Sequence, residues 1–400
     1  MMKNTLLSLL CFFVFTATHA QNLLEPVDIF DIEYVSDPQI SPDGTKVIYT
    51  RNFKDIMTDK NLSNLWVADV SGDSNRPLTT GNQNDRSARW SPDGKMIVYI
   101  SNKSGSNQIY LRWMDTGAES KLSNLQESPR ALQWSPDGKW IAFSKFVPGE
   151  PKVLAPLKGK PKGANWNDPA IYIDDMKYRS DGAGYLPQGN NHLFIISADG
   201  GSPRQVTKGD YNFNSAVWEP SGKHLISSSN THEDREMEPN NSEVHKIEIT
   251  SGTIKTLTDR LGPDANPKVS PDGSKIAYVG FDDKYEGYQL ARLYLMDSDG
   301  SNPRLVSGSL DRSINDYYWN NTGDGFYITY DNEGDIVISH IGLNNELSVV
   351  ATNAGGVSIG RPYAAGSFTV SKNGVIAFTL GGPDHPADLG VSSAPKQYSD

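Results

Sequence analysis

Short runs of β-branched and aromatic residues alternate with polar turns along almost the whole chain. KVIYT (46–50), MIVYIS (96–101), WIAFS (140–144) and KIAYVG (275–280) are each followed by a second such run. The second runs are NLWVADV (64–70), QIYLRWM (108–114), HLFIISA (192–198) and RLYLMDS (292–298). Third runs close the units: RPLTT (76–80), SKLSN (120–124), RQVTK (204–208), KTLTD (255–259) and RLVSG (304–308). Runs of this length and composition predict strands, and their spacing leaves no room for the long helices of a βαβ fold.

The turns repeat. SPDG occurs at 41, 91, 135 and 270, with degenerate copies EPSG at 219, NNTG at 320 and SKNG at 371. Proline presets the second turn position, aspartate bonds locally and glycine takes the left-handed conformation. An aromatic or aliphatic residue precedes every copy: Ile40, Trp90, Trp134, Trp218, Val269, Trp319 and Val370. Counting the strand before the turn, each unit has four strands. A four-stranded unit of roughly 45–50 residues is the signature of a propeller blade. The expectation is all-β, a seven-bladed propeller over residues 36–400; two stacked sandwiches would not keep one period through seven units.

Two segments fall outside the period. Residues 21–35 form a lead segment, expected as a short amphipathic helix or a strand. Residues 147–190 interrupt the third blade between its second and third strands, and WNDPAIYIDDMKYRSDGAGYLPQGN (166–190) within them is rich in aromatics and acids. Because strands alternate in direction, the SPDG turns share one face. The insertion, the acidic run THEDREMEPNN (231–241), FDDKYEGYQLA (281–291) and the inter-blade connectors share the other. Trp166, Tyr178, Arg179 and Tyr185, with Tyr172, are candidates for a cavity rim or a domain-docking surface; an insertion packed on itself is the plainer alternative.

Composition narrows the rest. The 400 residues carry a net charge of −11 with no recurring basic patch, which argues against nucleic acid as a partner. Lys3, the apolar run from Leu6 to Phe15 and Thr18-His19-Ala20 have the order of a secretory signal peptide over residues 1–20, too short to span a bilayer. Its removal would also take Cys11, the single cysteine, leaving no thiolate site and no disulfide. The expectation is a periplasmic or secreted protein without a membrane segment after cleavage.

Candidate chemistry is sparse. GVSIG (356–360) fits the G-x-S-x-G pattern of a hydrolase elbow, but that turn needs a helix after it, and Arg361-Pro362 follows instead. Downstream, only His385, beside Asp384, remains to serve as a base, so GVSIG is expected to be an inter-blade connector. His192, His224, His232, His245, His340 and His385 lack ligand spacing, and DSDGSN (297–302) lacks the terminal Glu of a calcium loop. No metal, cofactor or catalytic residue is expected.

PVDIFDIEYVSDPQISPDGTKVIYTRN (26–52) and MKYRSDGAGYLPQGNNHLFIISADGGSPRQVTKGDYN (176–212) resemble the propeller of prolyl oligopeptidase family serine peptidases, in the acylaminoacyl-peptidase and dipeptidyl-peptidase branch. The resemblance covers nearly the whole mature chain; the SPDG copies alone are shared with TolB-like propellers. It implies a propeller that caps a C-terminal α/β-hydrolase domain and restricts entry to short peptides. The sequence stops at PKQYSD, read as the last strand of blade seven, so no catalytic residue of the family carries over and the hydrolase domain is expected to be missing. The alternative is a TolB-like propeller that binds a protein partner in the cell envelope.

Overall fold

The repeat's turn builds the fold locally. In all seven units the turn glycine is left-handed: Gly44, Gly94, Gly138, Gly222, Gly273, Gly323 and Gly374 have φ between +69° and +80°, a region that costs a residue with a Cβ. In the SPDG copies the serine hydroxyl donates to the turn aspartate at 2.5–2.6 Å. The same oxygen accepts the backbone N–H of the residue that opens the second strand: Lys46, Met96, Trp140 and Lys275, at 2.9–3.0 Å. Hydroxyl and backbone donors to carboxylate lower its pKa; the hydrogen bond from Ser270, with those from Ser274, holds Asp272 down to about 2.

The computed structural model describes residues 24–150, 159–167, 170–358, 361–364 and 366–393, with the backbone alone for 357, 358, 361–364 and 393. The leader at 1–20 and the closing run KQYSD lie outside these residues. Among the described residues, seven antiparallel strand groups follow one another in step with the seven turns as the blades of a propeller, the last two joined in one seven-stranded sheet. Six are four-stranded and antiparallel; the first is Tyr34–Ile40, Lys46–Asp55, Lys60–Asp69 and Asn75–Pro77 in chain order. The seventh shows Phe368–Val370, Val375–Leu380 and Asp388–Ser393, and one bridge, Ala354 to Leu380, ties it to the sixth. The lead segment contains a one-turn 3-10 helix, Pro26–Phe30, with no buried residue.

The aromatic before the turn joins neighbouring blades. The indole N–H of Trp90 donates to the Gln39 carbonyl at 2.9 Å, Trp134 to Arg89 at 3.0 Å, Trp218 to Gln133 at 3.3 Å and Trp319 to Lys268 at 3.0 Å. Each bond runs from one first strand to that of the preceding blade, so the first strands lie innermost, around the axis. The core sits between successive sheets: Ile48, Leu65 and Val67 of blade one pack on Ile97, Tyr99 and Tyr110 of blade two.

The third runs are shorter as strands than their sequence implies. Only two or three residues pair at the outer edge of blades one to five. The apolar residue that follows turns inward, and the next hydroxyl caps the third strand. Thr79, Ser123, Thr207, Thr258 and Ser307 accept the N–H of Leu65, Ile109, Leu193, Val244 and Leu293 at 2.9–3.0 Å. The ring closes without an exchanged strand among the described residues. Val35 N–H donates to the Ala387 carbonyl at 2.8 Å, Thr369 Oγ1 accepts from Ile40 N–H at 3.0 Å, and Ile40, Val47 and Ala377 share a small core.

Candidate functional site

The loops joining second to third strands lie together at one end of the ring, opposite the glycine turns, and there the large exposed apolar side chains gather. In blade one the loop after Lys46–Asp55 holds Ile56 and Met57, the latter 86% exposed. In blade four the loop between His224–Ser229 and Glu243–Glu248 holds Met237, 70% exposed. In blade five the loop between Lys275–Gly280 and Arg292–Asp297 holds Tyr285 and Tyr288, 70% and 73% exposed. The blade-three insertion adds Trp166, Ile171, Ile173, Met176, Tyr178 and Tyr185.

Hydrogen bonds knit three of these loops into one surface. Met176 N–H donates to Glu236 Oε2 at 3.3 Å, joining the insertion to the acidic loop of blade four. Tyr285 Oη donates to Glu238 Oε1 at 3.0 Å, and Asn240 Nδ2 to Asp283 Oδ2 at 3.2 Å, joining that loop to blade five. Arg235 pairs with Asp210 at 2.5 Å across blades three and four. The result is a continuous patch, apolar and aromatic at its tips and acidic between them. Contiguous apolar exposure of this kind marks interaction surfaces.

Within the insertion, the rings of Tyr178 and Tyr185 stack with centroids 6.1 Å apart. A miniature hairpin, Arg179–Ser180 with Gly184–Tyr185, sets them there and places Arg179 opposite Tyr185. All three side chains are exposed, as is Trp166, which lies outside this ring pair. The structure therefore brings together three of the five side chains singled out in the sequence, Tyr178, Arg179 and Tyr185. Met57, Met237, Tyr285 and Tyr288 escaped notice individually; the available signal was a large apolar residue inside an otherwise polar second-to-third loop.

A second feature lies on the axis. Arg89 of blade two pairs with Asp37 of blade one at 2.8 Å, and Gln39 Nε2 donates to the same carboxylate at 2.9 Å. Lys268 of blade five pairs with Asp316 of blade six at 2.8 Å and stands 3.7 Å from the Tyr318 ring centre. Asn266 Nδ2 also donates to Asp316, at 3.2 Å. Burial pushes the Lys268 ammonium down against the pull of Asp316. Four first strands carry a bulge four residues before the turn: Asp37, Ser87, Ala131 and Asn266 are left-handed, with φ of 50–56°, and the register slips there. The bulge re-aims neighbouring side chains, and the Arg89 and Lys268 side chains two residues on make the ion pairs described.

Beneath the acidic loop, at the seam of blades four and five, lies a buried polar cluster. His232 Nε2 is 3.2 Å from Glu243 Oε1, and Thr258 Oγ1 donates to the other Glu243 oxygen. Burial raises the Glu243 pKa and pushes that of Asp264 up to about 6, although Arg260 beside Asp264 acts in the opposite direction. His245 donates from Nε2 to the Ser229 carbonyl at 3.1 Å and accepts the Thr256 hydroxyl at Nδ1; burial lowers its pKa, and it is a neutral core residue.

The remaining candidates are structural. GVSIG begins a two-stranded hairpin, Gly356–Ser358 with Arg361–Ala364, between blades six and seven, so the expected plain connector has strands of its own. Among the described residues no helix follows Ser358, as an elbow requires. DSDGSN is a hairpin turn, with Asn302 Nδ2 donating to Asp297 at 2.6 Å. Among the described residues no three His, Cys, Asp or Glu side chains form a group able to hold a metal ion.

Two families match successive parts of the chain: the TolB beta propeller domain over residues 27–158, and the dipeptidyl peptidase IV (DPP IV) N-terminal region over residues 183–278. Dipeptidyl-peptidase 5 of Porphyromonas gingivalis is 25% identical over 332 residues, 78% of this chain and 46% of the relative. The acylaminoacyl peptidase of Pyrococcus horikoshii superposes with a TM-score of 0.69 at 16% identity, over 91% of this chain and 52% of that one. The β-propeller domain of the Trilobed protease from Pyrococcus furiosus superposes with a TM-score of 0.61 at 14% identity, over 90% of this chain and 93% of that one. At these identities the superpositions show the shared fold. The chain spans about half the length of the two peptidases.

Proposed function

We propose that the chain is a propeller of the prolyl oligopeptidase N-terminal type and serves as the substrate-gating, non-catalytic portion of an exported serine peptidase acting on short peptides, a reading supported by the two family matches and the dipeptidyl-peptidase relative. The observation that carries this reading is the one-sided distribution of exposed apolar groups. Met57, Met237, Tyr178, Tyr185, Tyr285 and Tyr288 sit on loops at a single end of the ring. An α/β-hydrolase domain seated there would cover them, with Trp166, Arg179 and the tyrosine pair at its edge. The axial ion pairs of Asp37–Arg89 and Lys268–Asp316 then narrow the passage that a peptide would follow.

The test has two arms. The reading frame beyond codon 400 is expected to continue into a strand, a G-x-S-x-G turn, a helix and later Asp and His residues. A stop codon followed by an unrelated gene overturns the reading. The 400-residue chain is expected neither to hydrolyse acyl-peptide or dipeptide chromogenic substrates nor to react with a fluorophosphonate probe. Labelling that disappears in Ser358→Ala would sink it.

A second reading, a TolB-like propeller of the cell envelope that binds a protein partner, is favoured by the family match over residues 27–158. It expects the stop codon and a partner held by the same apolar loops.

A further inference from the structure

The outermost strand of each blade exposes backbone groups that another strand can pair with, and proteins usually blunt such edges by keeping them short and charged. Blades one to five follow this rule. Their fourth strands are Asn75–Pro77, Glu119–Lys121, Arg204–Gln205, Ile254–Thr256 and Arg304–Leu305, and each contains an arginine or a lysine. A second copy approaching any of these edges meets its own cation.

Blade six departs from the rule. Its edge strand, Leu347–Ala354, is eight residues long, reads LSVVATNA and contains neither a charge nor a proline. Leu347 and Val349 are 41% and 58% exposed. Among the described residues, no backbone hydrogen bond from outside its own sheet reaches 347–352; the first comes from Gly381 N–H to the Asn353 carbonyl at 3.0 Å. From Leu347 to Val349 the strand pairs in regular register with Ile341, His340 and Ser339, and the irregularities begin beyond that point. Residues 347–349 thus form a regular, uncharged and open stretch, which ends where the register shifts before Ala351.

We propose that this edge is a dimer contact: two copies pair antiparallel about a two-fold axis near Val349, extending blade six into a continuous sheet. Antiparallel pairing of a strand with itself is self-complementary, so one patch supplies both sides of the interface. The strand brings no like charges together, although the chain as a whole carries −11. Among the described fourth strands this is the one unblunted edge, so pairing closes at two copies instead of propagating into a fibre. A single strand pair is a small interface, and the dimer is expected to dissociate on dilution.

Sedimentation velocity across the micromolar range tests this with the full chain. The wild type is expected to shift from monomer to dimer with concentration. Val349→Lys sets two ammonium groups face to face at the axis and should weaken the dimer roughly tenfold or more. Leu305→Lys, on the already charged edge of blade five, should dimerise like the wild type. If Val349→Lys lowers the melting temperature, Ser348→Lys at the neighbouring exposed position makes the same charge test. A wild type that stays monomeric overturns the proposal and leaves the edge to an extended segment of another protein. A folded Val349→Lys or Ser348→Lys that dimerises unchanged overturns it as well.

Discussion

Lys268 and Asp316 meet at 2.8 Å across the axis-lining strands of blades five and six, although 48 residues separate them in the chain. The ammonium also lies over Tyr318 at 3.7 Å. Lys268→Met should remove both contacts and leave Asp316 facing the axis without its cation. Because the Asp316 side chain is partly open to solvent, the expected loss is about 1–2 kcal/mol, less than for a fully buried pair. A double-mutant cycle with Asp316→Asn, read by urea denaturation, should show coupling between the two sites; independent, additive effects would contradict the pairing.

The tryptophan before the turn should matter through its N–H. Trp134→Phe keeps most of the apolar bulk but strands the Arg89 carbonyl. A loss of about 1–2 kcal/mol is expected in denaturant titrations. Trp90→Phe and Trp319→Phe should behave alike, since they make the same link between other blades.

The hydroxyl that caps each third strand can be deleted at almost constant shape. Thr207→Val leaves the Leu193 N–H without an acceptor in a fully buried site. The expected cost is about 1–3 kcal/mol, whereas Thr207→Ser, which retains the acceptor, should cost less. A Thr207→Val variant as stable as the wild type, beside a destabilised Thr207→Ser, would show that the methyl group, not the hydroxyl, matters there.

Asp264 predicts a pH dependence of unusual sign. Its pKa in the folded chain is about 6, against 3.8 for the free group. The folded state therefore holds the proton more tightly than the unfolded state. Its contribution to stability is greatest below about pH 4 and declines as pH rises, with the full penalty present above about pH 6. The swing is roughly 2–3 kcal/mol. In unfolding experiments at pH 4 and pH 7, the stability of the wild type relative to Asp264→Asn should be higher at pH 4. A pH-independent difference would refute the assignment.

Much of the architecture was legible because the turn chemistry is local. Proline, aspartate and glycine at successive positions set the hairpin by themselves in four copies, and the shared left-handed glycine marks the three degenerate ones, so the seven turns announced seven repeated units. Strand alternation then places the insertion and the loops of blades four and five on one face. The stacking of Tyr178 on Tyr185 was legible only as an aromatic-rich stretch. Asp181-Gly182 marks a turn there, but the stacking depends on the pairing of two-residue strands too short to be read as strands. The left-handed bulges at Asp37, Ser87, Ala131 and Asn266 were not legible, since these four residue types share no turn signal.

The sequence by itself determined what is repeated: the order of strands and turns, the left-handed turn glycine, the aromatic or aliphatic residue before the turn and the hydroxyl within the third run of blades one to five. Each depends on contacts within a few residues or within one unit. The tertiary structure decided what the units do to one another. Closing the ring brings Thr369 to Ile40, and packing successive blades brings Arg89 to Asp37 and Lys268 to Asp316, pairs whose separation in sequence carries no signal. It also decided which apolar residues stay in water. Met57, Met237 and Tyr285 read like any core residue in the sequence, but their loops lie beyond the ends of the sheets, where no neighbouring blade is present to bury them.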